Sequence, residues 1–313
     1  MTPTPDLSAR IGSLSLRNPV MVASGTFGYG PEYAELVDLE RLGAIVVKGI
    51  CLEPTRGNPP PRTVETPSGL INAIGLPGPG LEGFVREYLP FLRSVPTPVI
   101  VNIWGRTVEE YGEVAARLDA TDGVHALEIN VSCPNIREGS HAFGVRLDSF
   151  RRVVETVRAR ASKPIIPKLA PNVSDIAAFA RAAEECGADA ISLINSVPAM
   201  AVDIETRRPK LANVIGGLTG PAIHPIAVKL VWEAAGAVRI PTIAMGGIVS
   251  PADAIEFLIV GAAAVAVGTA TFVEPRTAHA VVDGIREYLV RHGLRSVAEL
   301  TGSLRTGRDP CGG

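Results

Sequence analysis

The chain has 313 residues, of which 46% are hydrophobic and 20% charged, and its formal net charge is −2. This length allows a large buried core in one domain or two. The near-neutral charge and an aromatic content of only 5% argue against surfaces that bind nucleic acids or anionic membranes. We find neither a signal peptide nor an apolar stretch of the ~18 residues that a membrane span needs, and therefore expect a cytoplasmic protein.

Short apolar runs alternate with helical patterns along the whole chain. Eight runs are almost continuously apolar, which is typical of strands covered on both faces by helices. They are residues 20–24, 44–48, 99–102, 126–130, 165–168, 190–194, 242–245 and 264–267. The pattern predicts an α/β fold, a single-domain (β/α)8 TIM barrel over residues 1–313 with a disordered tail at about 303–313. A doubly wound open sheet is the alternative.

The helices between these strands carry recognisable start and stop signals. Thr107, Ser174 and Ser250 are predicted to cap helices, and Gly187 and Gly261 are predicted to end the second and third of them. Three connections are longer than a barrel needs: residues 49–98, which include a helical segment near 81–92, and residues 131–162 and 195–240. Each follows a strand, so we expect long inserted loops at the C-terminal face of the barrel, where active sites of this fold lie.

A cysteine follows the fourth predicted strand. Asn130 ends that strand, and Pro134 prevents a helix at Cys133, so the thiol is predicted to lie on a turn. Asn130 and Asn135 flank it with amides that both donate and accept hydrogen bonds. This arrangement suits proton transfer on a planar, amide-like substrate. The other cysteines, Cys51, Cys186 and Cys311, show no spacing typical of disulfides or zinc ligands, and no metal site is expected.

Glycines end the last two predicted strands, at Gly246-Gly247 and at Gly268-Thr269. The loops after strands 7 and 8 of a barrel often bind a phosphate through backbone N–H groups, which glycine leaves accessible. We therefore predict a phosphate site, with tight turns as the alternative. The chain has no GxGxxG motif followed by an acidic residue, which argues against a dinucleotide site.

Two lysines also end apolar strands. Lys48 and Lys168 are predicted to point towards an anionic ligand, because lysine is seldom buried without a partner. An ion pair with a carboxylate on a neighbouring strand is the alternative. Asn102, Asn130 and Asn195 each end or follow a strand, so these side chains could line one pocket together with Ser24-Gly25 and residues 216–220.

The chain resembles the class 1 dihydroorotate dehydrogenases over nearly its full length, and most closely their B-type catalytic subunit. The motifs that carry this resemblance are, in order, Asn18-Pro19, Ala23-Ser24-Gly25-Thr26, Lys48-Gly49, residues 57–62, residues 69–76, the Cys133 segment, residues 168–172, residues 217–221 and the two glycine turns. The resemblance implies an FMN-containing barrel that oxidises dihydroorotate to orotate in pyrimidine (UMP) synthesis.

The resemblance also implies roles for individual residues. Cys133 would remove a proton from C5 of the substrate while hydride leaves C6 for the flavin. The substrate would be bound by Lys48, Asn72, Ile74, Gly75, Leu76, Asn130, Asn135, Asn195 and Ser196. FMN would be contacted by Ser24, Lys48, Gly49, Asn102, Asn130, Lys168, Ile194, Gly220, Gly246, Gly247, Gly268 and Thr269.

The B-type likeness implies partners as well. The resemblance implies a homodimer core of this chain that binds a second subunit, which carries FAD and a [2Fe–2S] cluster. The resulting heterotetramer would reduce NAD. Residues 200–207 resemble the B-type loop, whereas Ser196 and Ala199 stand where Thr and Gly would be expected. Two alternatives stay open: an A-type homodimer that uses fumarate, and a non-flavin, phosphate-binding lyase or isomerase with Lys168 as reactive amine.

Overall fold

The computed structural model describes residues 4–131 and 143–306. The strands are β1 Ala9–Ile11, β2 Leu14–Leu16, β3 Val20–Val22, β4 Ala44–Ile50, β5 Thr63–Thr66, β6 Gly69–Asn72, β7 Val99–Ile103, β8 Ala126–Asn130, β9 Ile165–Lys168, β10 Ile191–Leu193, β11 Val197–Ala199, β12 Val202–Asp203, β13 Arg208–Pro209, β14 Gly216–Thr219, β15 Thr242–Met245 and β16 Ala264–Val267. The α-helices are α1 Gly80–Gly83, α2 Leu89–Arg93, α3 Val108–Asp119, α4 Leu147–Arg160, α5 Ile176–Glu185, α6 His224–Ala235, α7 Pro251–Ile259, α8 Thr277–His292 and α9 Val297–Leu300. A π-helical stretch, Phe84–Tyr88, joins α1 to α2.

Eight parallel strands close into a barrel in the order β3, β4, β7, β8, β9, β10, β15, β16. Every neighbouring pair is parallel, including β16 with β3, which closes the ring. These strands coincide with the eight apolar runs of the sequence. The predicted (β/α)8 barrel is confirmed, and the open sheet is excluded because no edge strand is left in the ring.

The apolar core has two layers. An inner cluster fills the barrel, and the β1–β2 hairpin contributes Ile11 and Leu16 to it, packed with residues such as Met21 and Ile100. A larger outer cluster lies between the strands and the surrounding helices. The strands are therefore buried on both faces, which explains why their sequences are continuously apolar rather than alternating.

The helix caps agree with the sequence at two of three positions. The Thr107 hydroxyl accepts a hydrogen bond from the N–H of Glu110, and Ser250 forms a reciprocal capping box with Asp253. The prediction for Ser174 is wrong by one position: Asp175 caps α5, because its carboxylate accepts from the N–H of Ala178. The longest helix in the described part of the chain, α8, has 16 residues; no helix there is long and apolar enough to cross a membrane.

Two of the long connections form a second sheet. Strands β5 and β6 come from the connection after β4, and β11 and β14 come from the connection after β10; they pair in the antiparallel order β11, β14, β6, β5. Because both connections leave the C-terminal ends of barrel strands, the sheet lies at that face of the barrel. The sequence predicted loops here and missed this sheet.

The end of the described chain packs against the barrel helices. The backbone N–H of Leu304 donates to the carbonyl of Ile259 at 3.1 Å, and that of Ser303 donates to Leu300 at 3.2 Å. Residues 307–313, the greater part of the predicted tail, lie outside the described residues. The division into one domain with a tail stays a prediction.

Candidate active site

The C-terminal ends of β7 to β10 place four polar side chains inside the barrel. Asn102, Glu128, Lys168 and Ser192 are all at least nine-tenths buried, although they stand on otherwise apolar strands. The register brings them together, because Asn102 pairs with Glu128 and Ser192 pairs with Lys168 across adjacent strands. The inner apolar cluster lies below them towards the N-terminal end of the barrel.

The Glu128 carboxylate is the centre of this group. One oxygen accepts a hydrogen bond from Asn102 Nδ2 at 2.6 Å and lies 3.6 Å from the Lys168 ammonium. The other oxygen accepts from the Ser192 hydroxyl at 2.9 Å. Lys168 Nζ also lies 3.5 Å from Ser24 Oγ, at the end of the first barrel strand. The five side chains form one buried network across the barrel mouth.

Glu128 and Ser192 are residues that sequence reasoning did not single out. Glu128 lies inside an apolar run, and a buried carboxylate in such a run needs a charged or hydrogen-bonding partner. A charged residue inside an apolar run was therefore the signal in the sequence that could have identified Glu128. The alternative interpretation of Lys168, an ion pair with a carboxylate on a neighbouring strand, is seen in the structure: its ammonium pairs with Glu128.

Two buried polar atoms beside this network have no hydrogen-bond partner among the described residues. They are Asn102 Oδ1 and the Trp104 indole Nε1. A Cβ added to Gly49 would lie 2.9 Å from Asn102 Oδ1 and 3.0 Å from Trp104 Cδ1, so glycine is needed for this close approach. An unpaired buried acceptor costs free energy unless a ligand satisfies it.

Glycines form a second group at the ends of β15 and β14. Gly246 and Gly247 have φ angles of +133° and +72°. An angle of +72° lies in the left-handed region, which favours glycine. A Cβ on Gly247 would lie 2.7 Å from His224 Cβ and 2.9 Å from Gly220 O, and one on Gly246 would lie 3.6 Å from Ile194 Cγ1. The backbone therefore approaches other atoms closely at a point where no side chain fits.

This glycine group is held in place by a histidine at the start of α6. His224 Nδ1 donates to the carbonyl of Gly246 at 3.0 Å, and its Nε2 lies 2.9 Å from a Glu256 carboxylate oxygen. A Cβ on Gly220 would lie 3.8 Å from Thr269 Cγ2, which brings the turn after β16 to the same place.

The second sheet gathers a third group. Asn72 pairs with Gly217 between β6 and β14, and its Nδ2 donates to Gly217 O at 3.2 Å. A Cβ on Gly217 would overlap the Ser196 side chain, so Ser196 packs directly on this strand. The Asn195 side-chain oxygen accepts from the N–H of Ser196 at 2.8 Å. Residues more than 120 positions apart thus meet beside the barrel mouth.

Comparison with known proteins identifies the family. Residues 6–289 match the family model described as dihydroorotate dehydrogenase. The chain belongs to the dihydroorotate dehydrogenase family. It is 52% identical over 301 residues to a protein of Geotalea daltonii, and 52% identical over 301 residues to one of Thermodesulfovibrio yellowstonii. Each alignment covers 96% of this chain and 99% of the relative, and each relative is named dihydroorotate dehydrogenase B (NAD(+)), catalytic subunit.

Most residues that the dihydroorotate dehydrogenase likeness predicts to contact FMN lie in the groups described above. Ser24, Asn102 and Lys168 belong to the buried network, with Gly49 beside Asn102. Ile194, Gly220, Gly246, Gly247 and Thr269 form the glycine group, and a Cβ on Gly268 would lie 3.7 Å from Ala23 Cβ, next to Ser24. Asn72, Asn195 and Ser196, which the likeness predicts to bind the substrate, form the third group, at the second sheet.

Lys48 and residues 74–76 make local contacts. The backbone N–H of Lys48 donates to Gly28 O at 2.9 Å. Burial lowers the pKa of the Lys48 ammonium; the negative charge of Glu32 opposes this shift and the positive charge of Arg62 adds to it. Asn58 donates from its backbone N–H to Ile74 O at 3.0 Å, and the Thr55 hydroxyl donates to Leu76 O. The segment before β5 thus fixes the loop that follows β6.

Cys133 and Asn135 lie outside the described residues, and their predicted roles stay predictions. The chain that leads to them is well fixed. Asn130 is buried at the end of β8, and its carbonyl accepts a hydrogen bond from the Tyr111 hydroxyl at 2.7 Å. Beyond the gap, Gly144 N–H donates to Val131 O at 2.8 Å. Val131 and Gly144, on either side of the undescribed residues, therefore meet beside the polar end of β8.

The two cysteines that the structure describes are buried. Burial raises the pKa of the Cys51 thiol to about 12. Burial also raises the pKa of the Cys186 thiol, with the neighbouring Glu155 carboxylate adding to the shift. Both thiols therefore stay protonated near neutral pH.

Proposed function

We propose that this chain oxidises dihydroorotate to orotate, a step of pyrimidine nucleotide synthesis, with FMN bound at the C-terminal mouth of the barrel. The observation that carries the proposal is the buried network of Glu128, Lys168, Asn102, Ser192 and Ser24 in a chain of the dihydroorotate dehydrogenase family. A lyase or isomerase that used Lys168 as a free amine fits less well, because that amine is paired with a buried carboxylate.

The described residues fit a flavin mononucleotide in two respects. The turn at Gly246 and Gly247 offers backbone N–H groups for a phosphate at the end of the seventh barrel strand, with Gly220 and Thr269 close to it and Gly268 at the end of the eighth. The unpaired Asn102 Oδ1 offers an acceptor to an N–H group of a ring such as the isoalloxazine. Bound FMN supplies the acceptor for a hydride. Lys168 offers positive charge near the ring, which stabilises the negative charge that follows hydride transfer.

The substrate is a cyclic ureide with N–H and C=O groups along its edge. We propose that Asn72, Asn130, Asn135, Asn195 and Ser196 bind it, because amides and hydroxyls both donate and accept and leave no buried polar group unpaired. Lys48 and the loop 74–76 are proposed to bind it as well, with the Lys48 ammonium facing the substrate carboxylate.

Cys133 is the proposed catalytic base. Its thiolate would take the C5 proton of dihydroorotate, and bound FMN would supply the acceptor for the hydride of C6, so that the substrate would lose two electrons and gain a C5–C6 double bond. An ordinary thiol has a pKa near 8.5, so the thiolate fraction and the rate of flavin reduction rise with pH through that region.

We propose the B-type arrangement for the protein's partners. The relatives are named as catalytic subunits of an NAD(+) enzyme, which supports a second subunit that passes electrons on. By the B-type likeness, that subunit carries FAD and a [2Fe–2S] cluster, and the complex is a heterotetramer built on a homodimer of this chain. NAD is then the final acceptor in the cytoplasm.

The test is to mix the purified chain anaerobically with dihydroorotate and follow flavin absorbance. We expect a yellow protein that bleaches, and recovery of colour with NAD only when the partner subunit is present. Cys133→Ala should bind FMN normally and be reduced very slowly. A protein that cannot take up FMN would contradict the proposal, as would a yellow one that dihydroorotate leaves oxidised. Recovery of colour with fumarate alone would contradict the B-type part.

A further inference from the structure

The Glu128 carboxylate contacts three buried polar groups. Its two oxygens contact the Asn102 amide, the Lys168 ammonium and the Ser192 hydroxyl. Side-chain exposure is 3% for Glu128 and 8% for Lys168. In such a buried setting the charges are weakly screened, so each partner feels the carboxylate strongly.

The carboxylate fixes which way the Asn102 amide faces. An ionised carboxylate only accepts hydrogen bonds, so the amide must turn its NH2 group towards Glu128. The amide oxygen, Asn102 Oδ1, is then turned away from the carboxylate and has no partner among the described residues. Glu128 therefore presents Asn102 to a ligand as an acceptor, whereas an amide without this neighbour could turn either way.

The same carboxylate offsets the charge of Lys168. The ammonium lies 3.6 Å from Glu128 and 3.5 Å from Ser24 Oγ, so the pair as a whole is neutral. A flavin bound beside this pair would experience the difference between the effects of the ammonium and of the carboxylate. This difference bears on the reduction of the ring, because reduction adds negative charge to it.

Building on the proposed function, we propose that Glu128 is a positioning residue that presets Asn102 as an acceptor and Lys168 as a donor to the flavin. Its negative charge also holds the reduction potential of the flavin below the value that Lys168 alone would give. Ser192 supports this role by holding the second carboxylate oxygen at 2.9 Å. Glu128 acts through its neighbours and takes no proton from the substrate.

The test is the midpoint potential of the flavin in the holoenzyme, measured by anaerobic titration against a redox dye. Glu128→Gln removes the charge and keeps the size. We expect the equilibrium constant for two-electron reduction to rise at least tenfold, a shift of about 30 mV to higher potential. Glu155→Gln is the matched control, because it makes the same substitution at an exposed carboxylate on α4 beside Cys186, outside the buried network; its potential should stay close to that of the wild type.

Glu128→Asp is the conservative variant and keeps the charge. We expect its potential to lie between those of the wild type and Glu128→Gln, and it provides the test if Glu128→Gln does not retain FMN. An unchanged or lower potential in Glu128→Gln, or in Glu128→Asp where Glu128→Gln does not retain FMN, would overturn the inference. A wild-type chain without flavin, or one that dihydroorotate does not reduce, would instead refute the proposed function, so the two failures are distinguishable.

Discussion

The two sides of the barrel interior differ in composition. On β15, β16 and β3 the inward residues are apolar to the end of each strand, as at Met245, Ala266 and Met21. On β7 to β10 the inward positions turn from apolar to polar and charged, as at Glu128 and Lys168. Buried ion pairs seldom add stability over apolar residues. We therefore propose that the polar side serves ligand chemistry rather than folding.

The largest expected effect is on the thiolate fraction of a buried cysteine. Cys51 lies in the apolar outer core with its pKa raised from 9.0 to about 12, whereas Cys133 follows the polar end of β8. At pH 8 the thiolate fraction of Cys51 should be about 1,000-fold below that of an ordinary thiol. Mass spectrometry after iodoacetamide treatment should find Cys51 unmodified in the native protein and modified after unfolding.

Rapid native labelling of Cys51 would contradict this account of its burial. A second consequence concerns stability. Below pH 9 the thiol is protonated in both the folded and unfolded states; as the pH rises from 9 towards 12, only the unfolded chain ionises, so the free energy of unfolding falls. Cys51→Ala should remove this part of the pH dependence.

The buried ion pair should give the next largest effect. Lys168→Met leaves the Glu128 carboxylate buried without its cation and should lower the free energy of unfolding by about 3–5 kcal/mol. Urea denaturation of the flavin-free protein measures this change. The double variant Lys168→Met with Glu128→Gln should recover much of the loss, because no unpaired charge remains. A single variant as stable as the wild type would show that the pair does not balance charge.

A cavity on the apolar side should affect stability alone. Met21 is fully buried in the inner cluster, so Met21→Ala should cost about 3 kcal/mol in the free energy of unfolding. The flavin potential and the rate of flavin reduction by dihydroorotate should not change. A shifted potential in this variant would mean that the two sides of the interior are not separate in function.

The smallest effect is expected at the glycine group. In Gly247→Ala the new Cβ would meet His224 Cβ and Gly220 O at under 3 Å, so FMN should bind about tenfold more weakly. Gly293→Ala is the control, because Gly293 has a similar φ of +68° with nothing within 4 Å. It should cost about 1 kcal/mol of stability and leave flavin affinity unchanged, as measured by fluorescence quenching. Equal affinities in both variants would argue against a phosphate site at Gly247.

The barrel was predictable because its signal is local. Each strand is a short apolar run, and burial on both faces makes that run continuous, so the eight strands could be located without knowing their order in space. The caps at Thr107 and Ser250 are local signals as well. At Asp175 two neighbouring residues were both capable of capping α5, and only the backbone geometry decides between them.

The remaining features depend on contacts between distant residues. The second sheet pairs Asn72 with Gly217, and neither short, glycine-containing strand is recognisable without the other. Glu128 was not predicted as a site residue, because it lies in an apolar strand. Its contacts with Lys168 and Asn102 are seen only in the structure. Motif resemblance supplied candidate residues such as Asn195 and Gly220, but not the carboxylate that organises the buried network.

The measurement that tests the central claim most directly is a crystal structure of the chain loaded with FMN and orotate. The account predicts that the flavin ring lies at the polar end of β7 to β10, in contact with Lys168 and Asn102, and that its phosphate lies at Gly246 and Gly247. Orotate should lie between the ring and the Cys133 segment. A flavin bound without contact to Lys168 or Asn102 would contradict the claim that the polar side of the barrel is the cofactor's binding site.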